Sequence, residues 1–225
     1  MLSLGYWSWY LLVLLLAWGL EYPWIVAGVV VLFLLRRYVP DPWIWLRTAG
    51  RIRSLRAQID ANPANATARR DLARIHLRRL RPRAAIRLLD EALKRHPDDA
   101  ELLYLSGLAR ARAGDADGAL DPLVRAVERD PAVGYGEPYL VAGDALVQLR
   151  RVAEAEDAYE RYVDSNTSSV RGHLSLARVR KRLGDTAGAK RALRDALTTF
   201  PQLPRFRRRQ ELSWYVRAQV TRLFL

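Results

Sequence analysis

The side chains of this 225-residue chain that are best suited to chemistry are three histidines, a serine-rich loop and a large excess of arginines. The histidines are His76, His96 and His173. None is spaced with a carboxylate or another histidine as a metal site requires. Ser165, Ser168 and Ser169 lie in "DSNTSS", with no base nearby to activate them. "GYGEP" (134–138) lacks the lysine and the strand–helix setting of a phosphate loop. The chain has no cysteine, which removes disulfides, thiolate zinc, iron–sulfur clusters and thiol nucleophiles together. No catalytic, metal or cofactor set is expected, and the chain reads as a non-enzyme.

The arginines remain. Lys+Arg number 37 against 24 Asp+Glu, for a net charge of +13. Only Lys94, Lys181 and Lys190 are lysines, a preference that GC-rich coding partly explains. A guanidinium fork binds carboxylate or phosphate with two parallel hydrogen bonds. A balance this basic favours anionic lipid headgroups, nucleic acid or acidic proteins. Which of these applies depends on the elements that hold the arginines.

The first forty residues read as a membrane anchor. Residues 2–20 carry no charge and span about 28 Å as a helix, close to a bilayer core of about 30 Å. Residues 24–39 form a second apolar stretch, charged only at Arg36 and Arg37. Glu21 and Pro23 separate the two. Trp7 and Trp9, then Trp18, Tyr22 and Trp24, then Trp43 and Trp45 make three interfacial clusters. Three clusters suit a hairpin (2–20 and 24–39), which keeps Glu21 in water; a single kinked span is the alternative. No basic residue precedes the first run, which argues against a cleaved signal peptide. Arg36, Arg37, Arg47, Arg51, Arg53 and Arg56 follow the last apolar residue. The positive-inside rule therefore expects the rest of the chain on the cytoplasmic face of a bacterial inner membrane. There Asn166-Thr167-Ser168 would not be glycosylated.

Beyond residue 61, four of the prolines, Pro63, Pro97, Pro131 and Pro201, are spaced by 34, 34 and 70. Each of the last three closes a helical stretch: "LLDEALKRHP", "LVRAVERDP" and "LRDALTTFP". Four periods follow: 66–99, 100–133, 136–169 and 170–203. Ala73, Ala85, Leu89 and Ala92 in the first, with Leu72 beside them, match Gly107, Ala119, Leu123 and Ala126 in the second, where Leu103 fills the bulky position that opens the pattern. Ala142, Gly143, Ala155, Tyr159 and Tyr162 match in the third, and Leu176, Ala177, Ala189, Leu193 and Ala196 in the fourth. Tyr162 stands where a small residue is expected. Glycine in "AGD" (113–115) and "LGD" (183–185) marks helix ends. This pattern resembles the tetratricopeptide repeat, a 34-residue helix–turn–helix. The expected fold is all-α: an N-terminal transmembrane hairpin (1–40), a helix at 41–65 that reads as juxtamembrane and amphipathic or as a half-repeat, a repeat solenoid (66–201), and a C-terminal capping helix (204–225). Leu212, Tyr215, Val216, Val220 and Leu223 share one side of that last helix. Trp214, Phe224 and Leu225 are left over for a partner, the membrane or a second copy.

In the resembled family the first helix of each repeat lines a concave groove. The resemblance implies a groove of Arg70, Arg74 and Arg78 from the first repeat, and Tyr104, Leu108 and Arg112 from the second. Leu140, Asp144 and Gln148 come from the third, and Leu174, Arg178, Lys181 and Arg182 from the fourth. Its ends are basic and its middle is mixed, which suits an acidic or amphipathic peptide. One subclass clamps a C-terminal carboxylate with asparagines; here those positions hold Arg74, Leu108, Asp144 and Arg178, so that subclass is not expected.

The expected role is a membrane-anchored scaffold that recruits or assembles protein partners, with lipid headgroups meeting Arg36–Arg56. Self-association through the membrane helices or the C-terminal helix is a further option. Binding of anionic lipid or nucleic acid through basic helices is the alternative; the repeat helices are poor in stacking aromatics, which disfavours nucleic acid. Other membrane-anchored members of the resembled family regulate envelope or cofactor biosynthesis, and one such group carries a cysteine-rich zinc module that this chain lacks.

Overall fold

The computed structural model describes Trp24 and residues 42–224. The expected hairpin, Trp24 apart, lies outside the described residues, and with it Trp7, Trp9, Trp18, Tyr22, Arg36 and Arg37. Among the described residues no helix is long and apolar enough to cross a membrane. Two compact units divide the chain, residues 1–49 and 50–225. Of the first, Trp24 and Trp45 are exposed.

All regular structure among the described residues of the second unit is helical. Helix α1 is Pro42–Ala61, and from Gly50 onward it belongs to this unit. Four antiparallel pairs follow: α2 (Ala66–Arg78) with α3 (Pro82–Leu93), α4 (Ala100–Ala113) with α5 (Ala116–Arg129), α6 (Glu137–Gln148) with α7 (Val152–Ser165), and α8 (Val170–Arg182) with α9 (Thr186–Thr199). Helix α10 (Arg205–Arg222) closes the series.

Short polar side chains fix the starts. Asn65, Asp99, Asp115, Ser169 and Asp185 each accept a backbone N–H three residues on, at 2.8–3.1 Å. Each satisfies a donor that the first turn leaves free. The turns inside the pairs differ. Gly114 and Gly184 take the left-handed backbone with φ of 90° and 88°. Leu80 (55°) and Arg150 (62°) adopt it in the other two turns without being glycine, at a cost of about 1 kcal/mol each.

The periodic small residues let the helices approach. Ala73, Ala85, Ala119, Ala155, Ala177, Ala189 and Ala196 are fully buried, with Leu89, Leu123 and Leu193 between them. Tyr162 is accommodated because Gly172 lies opposite: a Cβ there would stand 2.6 Å from the ring. The two residues added before the third pair fold into a short 3-10 turn, Val133–Gly136, in which Gly134, Tyr135 and Gly136 all have positive φ. At the front, Ile52 and Leu55 of α1 pack with Ala68, Leu72 and Ile75 of α2.

The last helix turns differently from the expected one. Glu211, Trp214, Tyr215 and Ala218 face the solenoid. Tyr215 stacks on Phe200 at 4.1 Å and Ala218 is fully buried. Leu212, Val216, Val220 and Leu223, expected to cap, are exposed instead. A flat ring pair and a closely approaching alanine fit the end of α8 and α9 better than a row of branched aliphatics, and Trp214 gains two guanidinium neighbours there.

Candidate binding face of the first helices

Helices α2, α4 and α6 lie side by side in one layer, α8 joins α6 through the Arg171–Asp144 pair, and α10 packs beside α8 where a fifth member would stand. The polar groups on this layer form a ladder between neighbours. At its N-terminal end, Arg70 reaches Glu101 at 2.5 Å, and Arg74 contacts the same carboxylate. Arg74 also lies 3.9 Å from Asp71, which Arg51 of α1 holds at 3.1 Å. Arg78 is exposed. Arg112 of α4 points back to the carbonyl of Leu77 at 3.5 Å.

Tyr104 sits at the centre of the layer, against Gly134. Burial, followed by the Glu137 carboxylate, pushes its phenol up to about 12. Leu108 beside it is half-buried. Asp144 on α6 is fully engaged: the Tyr159 hydroxyl donates to it at 2.7 Å and Arg171 pairs with its other oxygen. Burial, with Asp144 adding to it, raises the Tyr159 pKa strongly. Gln148 is exposed. Leu140 and Leu174, expected in the groove, are 1% and 0% exposed and belong to the core beneath it.

The C-terminal end is different. The Arg171 guanidinium lies 5.2 Å from the Trp214 ring centre, and Arg217 lies 4.5 Å from the same ring, within cation–π range. The Arg171 backbone N–H donates to Glu211 at 3.2 Å. Lys181 donates to the Phe224 carbonyl at 2.7 Å. Arg178 and Arg182 are exposed, and among the described residues no carboxylate pairs with either. Partial burial, then Arg217 and Arg182, lowers the Arg178 pKa: like charges crowd one seam. Arg217, Trp214 and Glu211 join the layer because α10 stands in as a fifth member. Periodicity gives no sign of this, since residues 204–225 do not repeat the motif; the aromatic Trp214 left without a packing position is the one visible clue.

Two of the histidines are built into the fold, and His96 is exposed. His173 donates to the Thr167 carbonyl at 3.0 Å. His76 is buried, and burial with nearby Arg56 and Arg81 lowers its pKa. Among the described residues no group of side chains is arranged to hold a metal ion.

A solenoid of helix pairs with an open face on its first helices defines a repeat-type binding module. The tetratricopeptide repeat family model matches residues 70–133 and 140–204, and the chain belongs to that family. No curated protein sequence matches it. Among solved structures it is similar to MamA (TM-score 0.63, 22% identity, over 67% of this chain and 87% of that one). A MamA structure from Desulfovibrio magneticus RS-1, residue 41 to the end, gives a TM-score of 0.55 at 19% identity, over 68% and 93%. YrrB, described as a TPR protein with an unusual peptide-binding site, gives 0.59 at 16% identity, over 72% and 87%. Likeness at these identities is likeness of fold.

Proposed function

We propose that the chain is a non-enzymatic scaffold, anchored by a two-helix hairpin in a bacterial inner membrane, with its repeats on the cytoplasmic face. It recruits or assembles protein partners there. A partner segment lies across the first-helix layer, over Tyr104 and Leu108, with acidic groups meeting the guanidinium groups left without a carboxylate. The observation that carries this reading is the contrast along the layer: Arg70 and Arg74 share the Glu101 carboxylate, whereas Arg178 and Arg182 have no acidic partner among the described residues. The peptide-binding description printed for YrrB supports it by analogy of fold alone. Anchoring raises the local concentration of any membrane partner without new contacts.

A photo-crosslinking residue at Leu108 in the full chain tests the reading. Partners captured from detergent-solubilised membranes are expected to be absent with the same residue at Val124, an exposed position on α5. They are expected to fall severalfold with Arg178→Glu/Arg182→Glu. Equal capture from both positions would overturn the binding face. Separately, labelling of Ser3→Cys by an impermeant reagent in intact cells would overturn the two-crossing anchor.

A further inference from the structure

The outward face of α10 has no role in the binding layer. Arg205, Arg209, Leu212, Val216, Val220 and Leu223 follow each other at spacings of four, three, four, four and three, which places them in one line along a helix about 27 Å long. The four apolar members are half to four-fifths exposed, and Phe206 and Phe224 are open beside them. The only carboxylate on the helix, Glu211, is turned inward to the Arg171 N–H. Outward, therefore, α10 presents apolar and positive groups and no negative one. Arg208 is bound to the carbonyls of Leu203 and Pro201 and fixes the first turn. On the flank toward α9, Arg222 lines a groove with Lys190 and Arg194.

We infer that α10 lies lengthwise on an anionic lipid bilayer surface. The Leu212–Val216–Val220–Leu223 row enters the boundary between headgroups and acyl chains, as in-plane amphipathic helices do. Arg205 and Arg209 lie along the same line and reach lipid phosphates with long, flexible stems. Charge complementarity selects this occupant over the others. A second copy pairing antiparallel through this row would set Arg205 and Arg209 against the apolar Leu223 and Val220, with no carboxylate on the row to receive them. A further helix with an apolar face packed along the row would have to enclose Arg205 and Arg209 without partners, which is strongly unfavourable. A lipid surface offers phosphates to the arginines and hydrocarbon to the row at once. This contact is separate from the binding layer and from any hairpin anchor.

The absence of cysteine makes a clean test. Val216→Cys carrying an environment-sensitive fluorophore is placed in the full chain, reconstituted in vesicles with a quencher on the lipid chains. The vesicles are phosphatidylcholine alone or with phosphatidylglycerol. The label is expected to be quenched in the anionic vesicles and little in the neutral ones, while the same label at Val124→Cys is quenched in neither. Arg205→Gln/Arg209→Gln should lower the ratio of docked to undocked helix at least about tenfold, with an unchanged circular dichroism melt. No quenching at Val216 in anionic vesicles overturns the inference. So does equal quenching at Val124, or protection of the Val216 label by a second copy or an acidic protein with no dependence on lipid charge. A hairpin that fails to insert shows as protein that does not float with neutral vesicles, which is a different result from loss of the charge-dependent signal.

Discussion

Arg74 and Arg178 stand at the same position of the first and fourth repeats, on the same layer of helices, and meet different neighbours. The helix after Arg74 supplies Glu101, which takes both Arg70 and Arg74. The next member of the layer after α8 is α10, which supplies Arg217 instead. The cores beneath differ as well. In the N-terminal half, aliphatic Leu89 and Leu123 fill the space between small residues; in the C-terminal half, Tyr159 packs on Gly143 and Tyr162 on Gly172. The two halves share a backbone plan, yet at this position the arginine of the first repeat meets a carboxylate and that of the fourth meets another arginine. Charge at a repeat position is therefore no guide to function until the neighbouring repeat is known.

The largest expected effect tests the cores. Tyr162→Ala removes a fully buried ring and should cost about 3–5 kcal/mol in urea unfolding. Gly172→Ala should cost about 1–3 kcal/mol, because its methyl group meets that ring. Together they should cost less than their sum, since the methyl then enters the space the ring leaves. Strict additivity would mean that the two residues do not share a packing site.

Next come the arginines. Glu101→Gln leaves Arg70 and Arg74 without their carboxylate and should cost about 1 kcal/mol, as a partly exposed pair does. Arg178→Ala should change stability by less than about 0.5 kcal/mol while weakening capture at the binding face. The comparison fails if Arg178→Ala destabilises as much as Glu101→Gln, because Arg178 would then have a structural partner.

The turns give a smaller and opposite pair. Leu80→Gly and Arg150→Gly relieve a left-handed backbone and should each gain about 0.5–1 kcal/mol. Gly114→Ala and Gly184→Ala should each lose about as much. Thermal melts of the four variants would show whether the glycine-free turns carry strain.

Much of this molecule was legible from spacing. The 34-residue period and the small residues at Ala85, Ala119 and Ala189 specify helix pairs, because close helix approach admits few side chains at those points. The glycines at 114 and 184 announce their turns in the same way. The equivalent turns at Leu80 and Arg150 are silent, because neither position holds the glycine that marks a left-handed backbone. Site residues were legible as positions but not as states. Arg70 and Arg74 read as free cations because their partner, Glu101, lies 31 and 27 residues away; the pairing exists only once the repeats stack. The orientation of α10 was misread for a related reason. A hydrophobic row normally faces inward, yet here a stacked ring, a small Ala218 and the Arg171–Trp214 contact fill the available surface and turn the row out.

The smallest expected effect concerns the acid that α10 turns inward. Burial raises the Glu211 pKa, against the opposing pull of the Arg171 N–H, Arg207 and the Arg171 side chain. A carboxyl whose folded pKa exceeds its unfolded value binds its proton first in the folded state. Its contribution therefore favours folding as pH falls toward the ordinary carboxylate value of about 4.3, and opposes folding once the group is ionised at neutral pH. Glu211→Gln keeps an oxygen for the Arg171 N–H and removes the charge. At neutral pH it should be as stable as the wild type or more so, by less than about 0.5 kcal/mol. The difference should shrink on acidification, as the wild-type carboxyl takes up its proton. Urea unfolding of both proteins across this range isolates the residue, because the other carboxylates cancel in the difference. A gap that widens in favour of the variant on acidification would mean that attraction to Arg171 and Arg207 outweighs burial, and that the C-terminal end of the layer is less crowded with unmatched positive charge than its geometry indicates.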